Sequence, residues 1–258
     1  MLLVACTSIG VSTGSYPPFI QAVRAGDVAE ADRLFRQGHL PGQTTIGNQT
    51  ALHIAAAEGN DEMVRWLLAR EAHPLAQDQN GRTPIDFAQR QGHTDTAQLI
   101  LDYVDLVQRE EEAIIAGDFE TLRDLLAEDY RQNTLLHVLA QLGAVDELVT
   151  ELETGVDVNA KNASEQTPLH KATIPDTPEA ARLLLAAGAD VNALNFLHNP
   201  PIYYAILTDN ADMVALLLEA EADVTIRSAI QAETMIEYAE RKNNPEIVNL
   251  FNQFQNNR

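Results

Sequence analysis

The pentapeptide Gly10-Val11-Ser12-Thr13-Gly14 satisfies the Gly-x-Ser-x-Gly pattern in which a serine acts as an acyl-transfer nucleophile. That chemistry needs the serine on a sharp turn between a buried strand and a helix. Here Pro17-Pro18 follows closely and blocks a helix of normal register. No alternation of strand and helix patterns surrounds the segment. Ser12 therefore reads as linker, and hydrolysis through Ser12 stands only as an alternative function of another class. His53, His137 and His170 offer three imidazoles to a metal ion. They recur one per repeating unit, so they should form a ladder and not converge, and no His, Cys or carboxylate pair has zinc spacing. The phosphate-binding pattern Gly-x-x-x-x-Gly-Lys is absent. Paired carboxylates are plentiful, but 38 acidic residues supply such pairs by chance. Nothing here makes a catalytic constellation, so the expectation is a protein that is not an enzyme, with no catalytic residue, cofactor or metal. Asn48-Gln49-Thr50 and Asn162-Ala163-Ser164 match the glycosylation acceptor pattern, although Thr50 is more simply a helix cap.

Cys6 is the sole cysteine, which rules out an internal disulfide. Leu3-Val4-Ala5-Cys6 has the form of a bacterial lipobox, where the cysteine is lipidated after cleavage, and residues 7–15 form a small, polar, tether-like stretch. A secretory signal also needs a basic start and a longer apolar core, and both are missing before Cys6. Two readings stay open: a true start upstream of Met1, or an accidental match. The first anchors the protein at a bacterial envelope or periplasmic membrane surface; the second leaves a cytoplasmic protein. No apolar run of 18 residues exists to span a bilayer as a helix.

The positioning elements follow from bulk composition and spacing. Hydrophobic residues make up 45% of the 258, but aromatics only 5%. Alanine and leucine supply most of the apolar content, which suits closely packed helices. The net charge of −21 repels phosphate backbones, so nucleic acid is an unsuitable ligand. It would attract a basic protein, or serve solubility alone. Self-comparison reveals a period of 33. Asp157-Val158, Asp190-Val191 and Asp223-Val224 keep it, as do Gly26, Gly59 and Gly92, and the pairs Thr50/Thr83 and Thr134/Thr167. Within each period a threonine opens a short helix, as in Thr50-Ala51-Leu52-His53 and Thr134-Leu135-Leu136-His137. That helix stops at a glycine or a substitute: Gly59, Gly92, Gly143, Asp176 or Asp209. A second helix follows with helically spaced apolar residues such as Met63, Val64, Leu67 and Leu68.

Thr167-Pro168-Leu169-His170 and the segment from Leu183 to Ala193 (LLLAAGADVNA) resemble the ankyrin-repeat family almost letter for letter. The resemblance covers about residues 17–258 and is strongest over 48–92 and 132–226. It implies an all-α solenoid of about seven to eight helix-turn-helix units with short β-hairpin-like turns. The units fit at about 17–47, 48–80, 81–106, 107–131, 132–164, 165–198, 199–231 and 232–258, after an amino-terminal tether or lipoprotein-signal remnant at 1–16. Each unit is stabilised by its neighbours. The intervals Gly92 to Gly117 and Gly117 to Gly143 fall seven or eight residues short of the period. The hairpins flanking unit 107–131 should therefore be trimmed or absent, making the array irregular around 104–133 and bending it there.

The same resemblance implies structural histidines that hydrogen-bond backbone near the turns, and partner binding through turn tips and the concave face of the inner helices. Carried onto this chain, the face comprises Arg90, Gln91, Gln141, Leu142, Lys171, Ile174, Phe196, Leu197, Asn199, Tyr203, Tyr204 and Leu207. Phe196 and Leu197 stand out, because a turn tip should be polar; they are expected to anchor a partner. The alternative is that Phe196 folds back on its own repeat and Tyr203 simply replaces the structural histidine. Residues 132–226 carry 14 acids against Lys161, Lys171 and Arg182, which makes this half the dock for a basic partner. The expected function is a protein-binding module, in narrower form a bacterial inhibitor or immunity-type protein or an envelope scaffold. A structural spacer without a specific partner is the remaining alternative.

Overall fold

The computed structural model describes residues 16–39, 42, 44–45, 47–174, 178–229 and 232–256. Cys6, Ser12, Pro175 and Asp176 lie outside them. Fifteen α-helices form among the described residues, and they associate as inner and outer partners. The front pairs are α1 (Pro18–Ala25) with α2 (Val28–Arg36) and α3 (Ala51–Ala57) with α4 (Asp61–Leu68). Next, α5 (Pro84–Gln91) pairs with the first half of α6 (Thr94–Ala116), whose second half meets α7 (Phe119–Leu126). The back pairs are α8 (Leu135–Leu142) with α9 (Val145–Glu153) and α10 (Pro168–Ala172) with α11 (Pro178–Ala186). They continue with α12 (Pro201–Leu207) and α13 (Ala211–Glu219), then α14 (Met235–Lys242) and α15 (Pro245–Asn256). No strand longer than the isolated bridges Thr44–Thr50 and Arg227–Thr234 occurs among the described residues. This is the all-helical solenoid that the repeat implies.

Local chemistry sets the helix ends. Thr50, Thr83, Thr134, Thr167 and Thr234 each begin an inner helix in a reciprocal capping box, which satisfies two otherwise orphaned backbone donors. Outer helices start instead at short acceptors. Asp27 accepts from the Glu30 amide at 2.9 Å, Asn60 from Met63 at 2.9 Å, and Asp118 from Thr121 at 3.0 Å. Where the turn between the two helices of a unit is described, the chain passes through a left-handed residue. At Gly59, φ is +66° and an added Cβ would stand 2.4 Å from the His93 ring, so glycine is required there. Asp209 serves the same role in a later unit with φ 56°, a conformation that a short polar side chain tolerates.

The apolar faces collect into two cores. One contains Phe19, Leu52, Met63, Leu67 and Ile100; the other contains Leu122, Leu136, Leu148, Leu184, Met213 and Phe251. Helix α6 passes from one to the other, with Leu99, Ile100 and Tyr103 in the first and Leu106 and Ala113 in the second. It is continuous over 23 residues, so the hairpin that a regular period would place between Gly92 and Gly117 is absent, as the shortened interval implies. The backbone rungs between successive turn tips divide accordingly. In front, the Gln79 amide donates to the Gly47 carbonyl at 2.9 Å. Behind, Ala163 donates to Arg131 (2.8 Å), Phe196 to Ser164 (3.3 Å) and Ala229 to Leu197 (2.9 Å). Where the next front rung would stand, the backbone is helical.

Because Gln108 is exposed and mid-helix, with its side chain donating to Glu112 at 3.0 Å, it tests this continuity. Gln108→Pro should lower unfolding stability by about 3 kcal/mol or more, as a proline inside a helix does. Urea denaturation checks it; a loss below about 1 kcal/mol would mean that the segment is not an uninterrupted helix.

Candidate binding face

Three histidines each couple an inner helix to the unit that follows. In each, Nδ1 accepts from a threonine amide: Thr50 to His53 (3.1 Å), Thr134 to His137 (3.1 Å) and Thr167 to His170 (3.0 Å). That leaves Nε2 to donate to a carbonyl 29 residues ahead: Arg82 (3.0 Å), Gln166 (2.9 Å) and Asn199 (3.1 Å). All three rings are buried. They form a ladder along the stack, and among the described residues no three His, Cys, Asp or Glu side chains gather as a metal cage. Where a histidine is missing, Asp86 closes the box from Thr83 and Glu237 that from Thr234.

Tyr203 occupies the histidine position of the next unit and stacks on Tyr238, with centroids 4.7 Å apart and planes 12° from parallel. Burial raises the pKa of its phenol. The neighbouring Tyr204 is buried, its hydroxyl accepting from Gln166 Nε2 at 3.0 Å and Asn195 Nδ2 at 2.7 Å. Asn195 Oδ1 in turn accepts the amides of Leu197 and Asn199, at 2.9 and 3.0 Å. This network holds the tip that carries Phe196.

The structure divides the residues that the resemblance placed on the binding face. Arg90, Gln91, Gln141 and Leu142 are exposed, whereas Ile174, Tyr203 and Leu207 are half-buried. Leu197, Asn199, Tyr204 and Lys171 are buried, so their side chains are not free surface. Phe196 was expected to project as an anchor. Instead it lies flat on Phe35, with centroids 3.9 Å apart and planes 11° from parallel, and joins the front core. Two ion pairs flank that stack: Arg36 with Glu165 at 2.7 Å, and Lys171 with Glu71 at 3.2 Å. Sequence reasoning missed Phe35, Arg36, Glu71 and Glu165. Its one available signal was the apolar tip itself.

The family "Ankyrin repeats (3 copies)" matches residues 19–110, 111–195 and 136–228. The chain belongs to the ankyrin-repeat family. Ankyrin repeats are protein–protein interaction modules, and the capping, histidine ladder and paired helices above are their framework in this chain. The mouse protein "Glutaminase liver isoform, mitochondrial" is 35% identical over 85 residues, which cover 33% of this chain and 14% of that protein. The Arabidopsis thaliana E3 ubiquitin-protein ligase XBAT33 is 34% identical over 154 residues, 59% of this chain and 29% of the ligase. Human neurogenic locus notch homolog protein 1 is 26% identical over 192 residues, 67% of this chain and 7% of that protein. The chain thus spans less than a third of each of these relatives. Among solved structures, the ankyrin-repeat domain of Bcl-3 covers 92% of this chain, which covers 98% of it, at 23% identity and a TM-score of 0.45.

Histidine burial in this ankyrin framework makes stability depend on pH. Burial lowers His137 to about 4 and His170 to about 3, from an ordinary 6.5. Both rings stay neutral in the fold, whereas the unfolded chain takes up their protons below pH 6.5. Their contribution is therefore complete above that value and falls as pH drops. The advantage of wild type over His170→Gln should shrink by about 2 kcal/mol between pH 7 and 5. Paired urea titrations measure it, and an equal advantage at both pH values would contradict a neutral buried ring.

Proposed function

We propose that the chain binds one basic protein through the inner-helix ends around α6 and α8. The observation that carries this reading is Ile115, which is 86% exposed in the last turn of α6. Leu142, 45% exposed, ends the inner helix α8. Both precede a left-handed glycine, Gly117 and Gly143 respectively, so they occupy comparable inner-helix ends. The exposed acids Glu111, Glu112, Asp118, Asp146 and Glu147 lie on the same helix ends and their continuations. Exposed apolar side chains with acids on the same helix ends fit a partner segment with an apolar side chain between lysines or arginines. The exposed Gln141 extends this surface. Arg90 and Gln91 end α5 in the same manner in the front half.

Full burial of Ile115 alone is worth about 1.5–3 kcal/mol, enough for an anchor. Neutralisation of a basic toxin or enzyme, as an immunity-type protein performs, is a narrower form of this reading and draws on the net charge of −21. An envelope scaffold draws on Leu3-Val4-Ala5-Cys6 and its lipidation at Cys6.

A partner recovered on the immobilised chain, then titrated against wild type and the double variant Ile115→Ser/Leu142→Ser, tests the surface. The variant should bind at least about tenfold more weakly, the equivalent of about 1.4 kcal/mol. Wild-type binding should also weaken steeply as salt rises. An unchanged dissociation constant in the variant would move the contact elsewhere.

A further inference from the structure

The back half of an ankyrin array offers its turn tips and inner helices to partners, and here those positions already touch something. The occupant is the chain's own front half. Phe35 and Arg36 end α2, and Glu71 follows α4. Across the seam stand Glu165 and Phe196 at successive turn tips and Lys171 on the inner helix α10. The contact is layered: Phe196 stacks on Phe35, which also meets Trp66 edge-on at 5.5 Å. The Arg70 guanidinium lies 4.1 Å from the Trp66 ring centroid and pairs with Asp32 at 2.9 Å. Asp32 also holds Arg36 at 2.8 Å, and so aims Arg36 at Glu165. On the back half, the Tyr204 hydroxyl and Asn195 fix the Phe196 tip independently of the front half.

Two details set this seam apart from ordinary stacking of repeats. It joins units that are not neighbours, since Lys171 and Glu71 lie 100 residues apart. It also covers a lysine: Lys171 is only 6% exposed, and its ammonium meets the Glu71 carboxylate. Such a cation needs a carboxylate or water within reach, and the front half supplies the carboxylate.

We infer that Glu165, Lys171 and Phe196 form a second protein-binding surface, which the chain's own α2–α4 edge occupies as a resident ligand. A competing partner presents the same chemistry: an aromatic side chain followed by an arginine at the end of a helix, with a carboxylate placed to meet Lys171. The partner gains access when the edge lifts away, so the front half sets the apparent affinity by the fraction of time it is released. This surface is separate from the one at Ile115 and Leu142 and does not depend on it.

The full-length chain with Phe35→Leu, Arg36→Glu and Glu71→Lys alters only the front side of the seam. It keeps an apolar residue at position 35 and sets like charges against Glu165 and Lys171. Two readouts are taken: small-angle X-ray scattering, and binding of a fluorescent peptide copying wild-type residues 27–38, which contains Phe35 and Arg36. The variant should expand and bind the peptide about tenfold more tightly than wild type, the factor for an edge that is seated about 90% of the time. Adding Glu165→Lys and Lys171→Glu should restore the compact scattering profile. An expanded chain that ignores the peptide would overturn the binding surface. A variant indistinguishable from wild type in both readouts would overturn the release. If circular dichroism shows the triple variant unfolded, Arg36→Glu with Glu71→Lys, which leaves the core intact, is read by the same two criteria. Ile115→Ser/Leu142→Ser should leave peptide binding unchanged, so failure of either surface is seen separately.

Discussion

A backbone committed to continuous α-helical hydrogen bonding cannot also supply the extended residues of a hairpin, and helix α6 imposes that constraint on the whole array. Its 23 residues carry the outer position of one unit and the inner position of the next. The tip ladder is therefore interrupted between Gln79 and Arg131, and the apolar interior divides into two cores with α6 common to both. At the junction, Tyr103 stacks on Tyr130 at 5.8 Å, while Arg131 pairs with Asp129 at 2.8 Å and with the buried Glu110. Burial pushes the Glu110 carboxyl up, against the attraction of Arg131. The Arg131 carbonyl in turn receives the first rung of the back ladder from Ala163. One side chain and its backbone thus tie the missing hairpin's replacement to the half that follows.

What the sequence makes legible is whatever repeats. Capping threonines, structural histidines and the left-handed residues at helix ends act over three or four residues, or over one period. Between units of full length they return after 33 positions as the same letter or a short list of substitutes. The lost hairpin was legible too, as a shortfall in that spacing. The seam was not. Phe35 and Phe196 meet across most of the chain, and nothing periodic links two side chains brought together by the path of the whole solenoid. Their only trace was an apolar pair at a tip that should be polar. Exposure to a partner was the natural expectation for Phe196, yet an intramolecular ring met it first.

The family resemblance misled in a related way about Lys171 and Tyr204. The repeat pattern places both beside the structural histidine position, on the side of the inner helix that faces the groove. Groove-facing is a statement about one unit and its immediate neighbours, whereas burial depends on everything that reaches the residue. Tyr204 is enclosed because Gln166 and Asn195, from the two adjoining tips, converge on its hydroxyl. Lys171 is enclosed because a distant unit arrives with Glu71. Ile115 carries no comparable sequence signal: it belongs to the short apolar run Ala113–Ala116 between three glutamates and Gly117, and the helix end leaves it in solvent.

The relative strength of these joints orders what can move. Within each core, tens of apolar side chains are removed from water, each worth about 1.5–3 kcal/mol when large and fully buried. The seam rests on much less. Its aromatic stack adds about 0.5–1.5 kcal/mol beyond burial, and the Arg36–Glu165 pair, with both partners at least 35% exposed, belongs with surface pairs worth about 0–1 kcal/mol. A net charge of −21 also opposes bringing two acidic halves together. Three of the chain's 17 bases, Arg36, Arg70 and Lys171, stand at this contact, and they offset that repulsion where the halves meet. In the proposal above, the seam is therefore the contact that yields while both cores stay folded, as a contact shared with an outside partner requires.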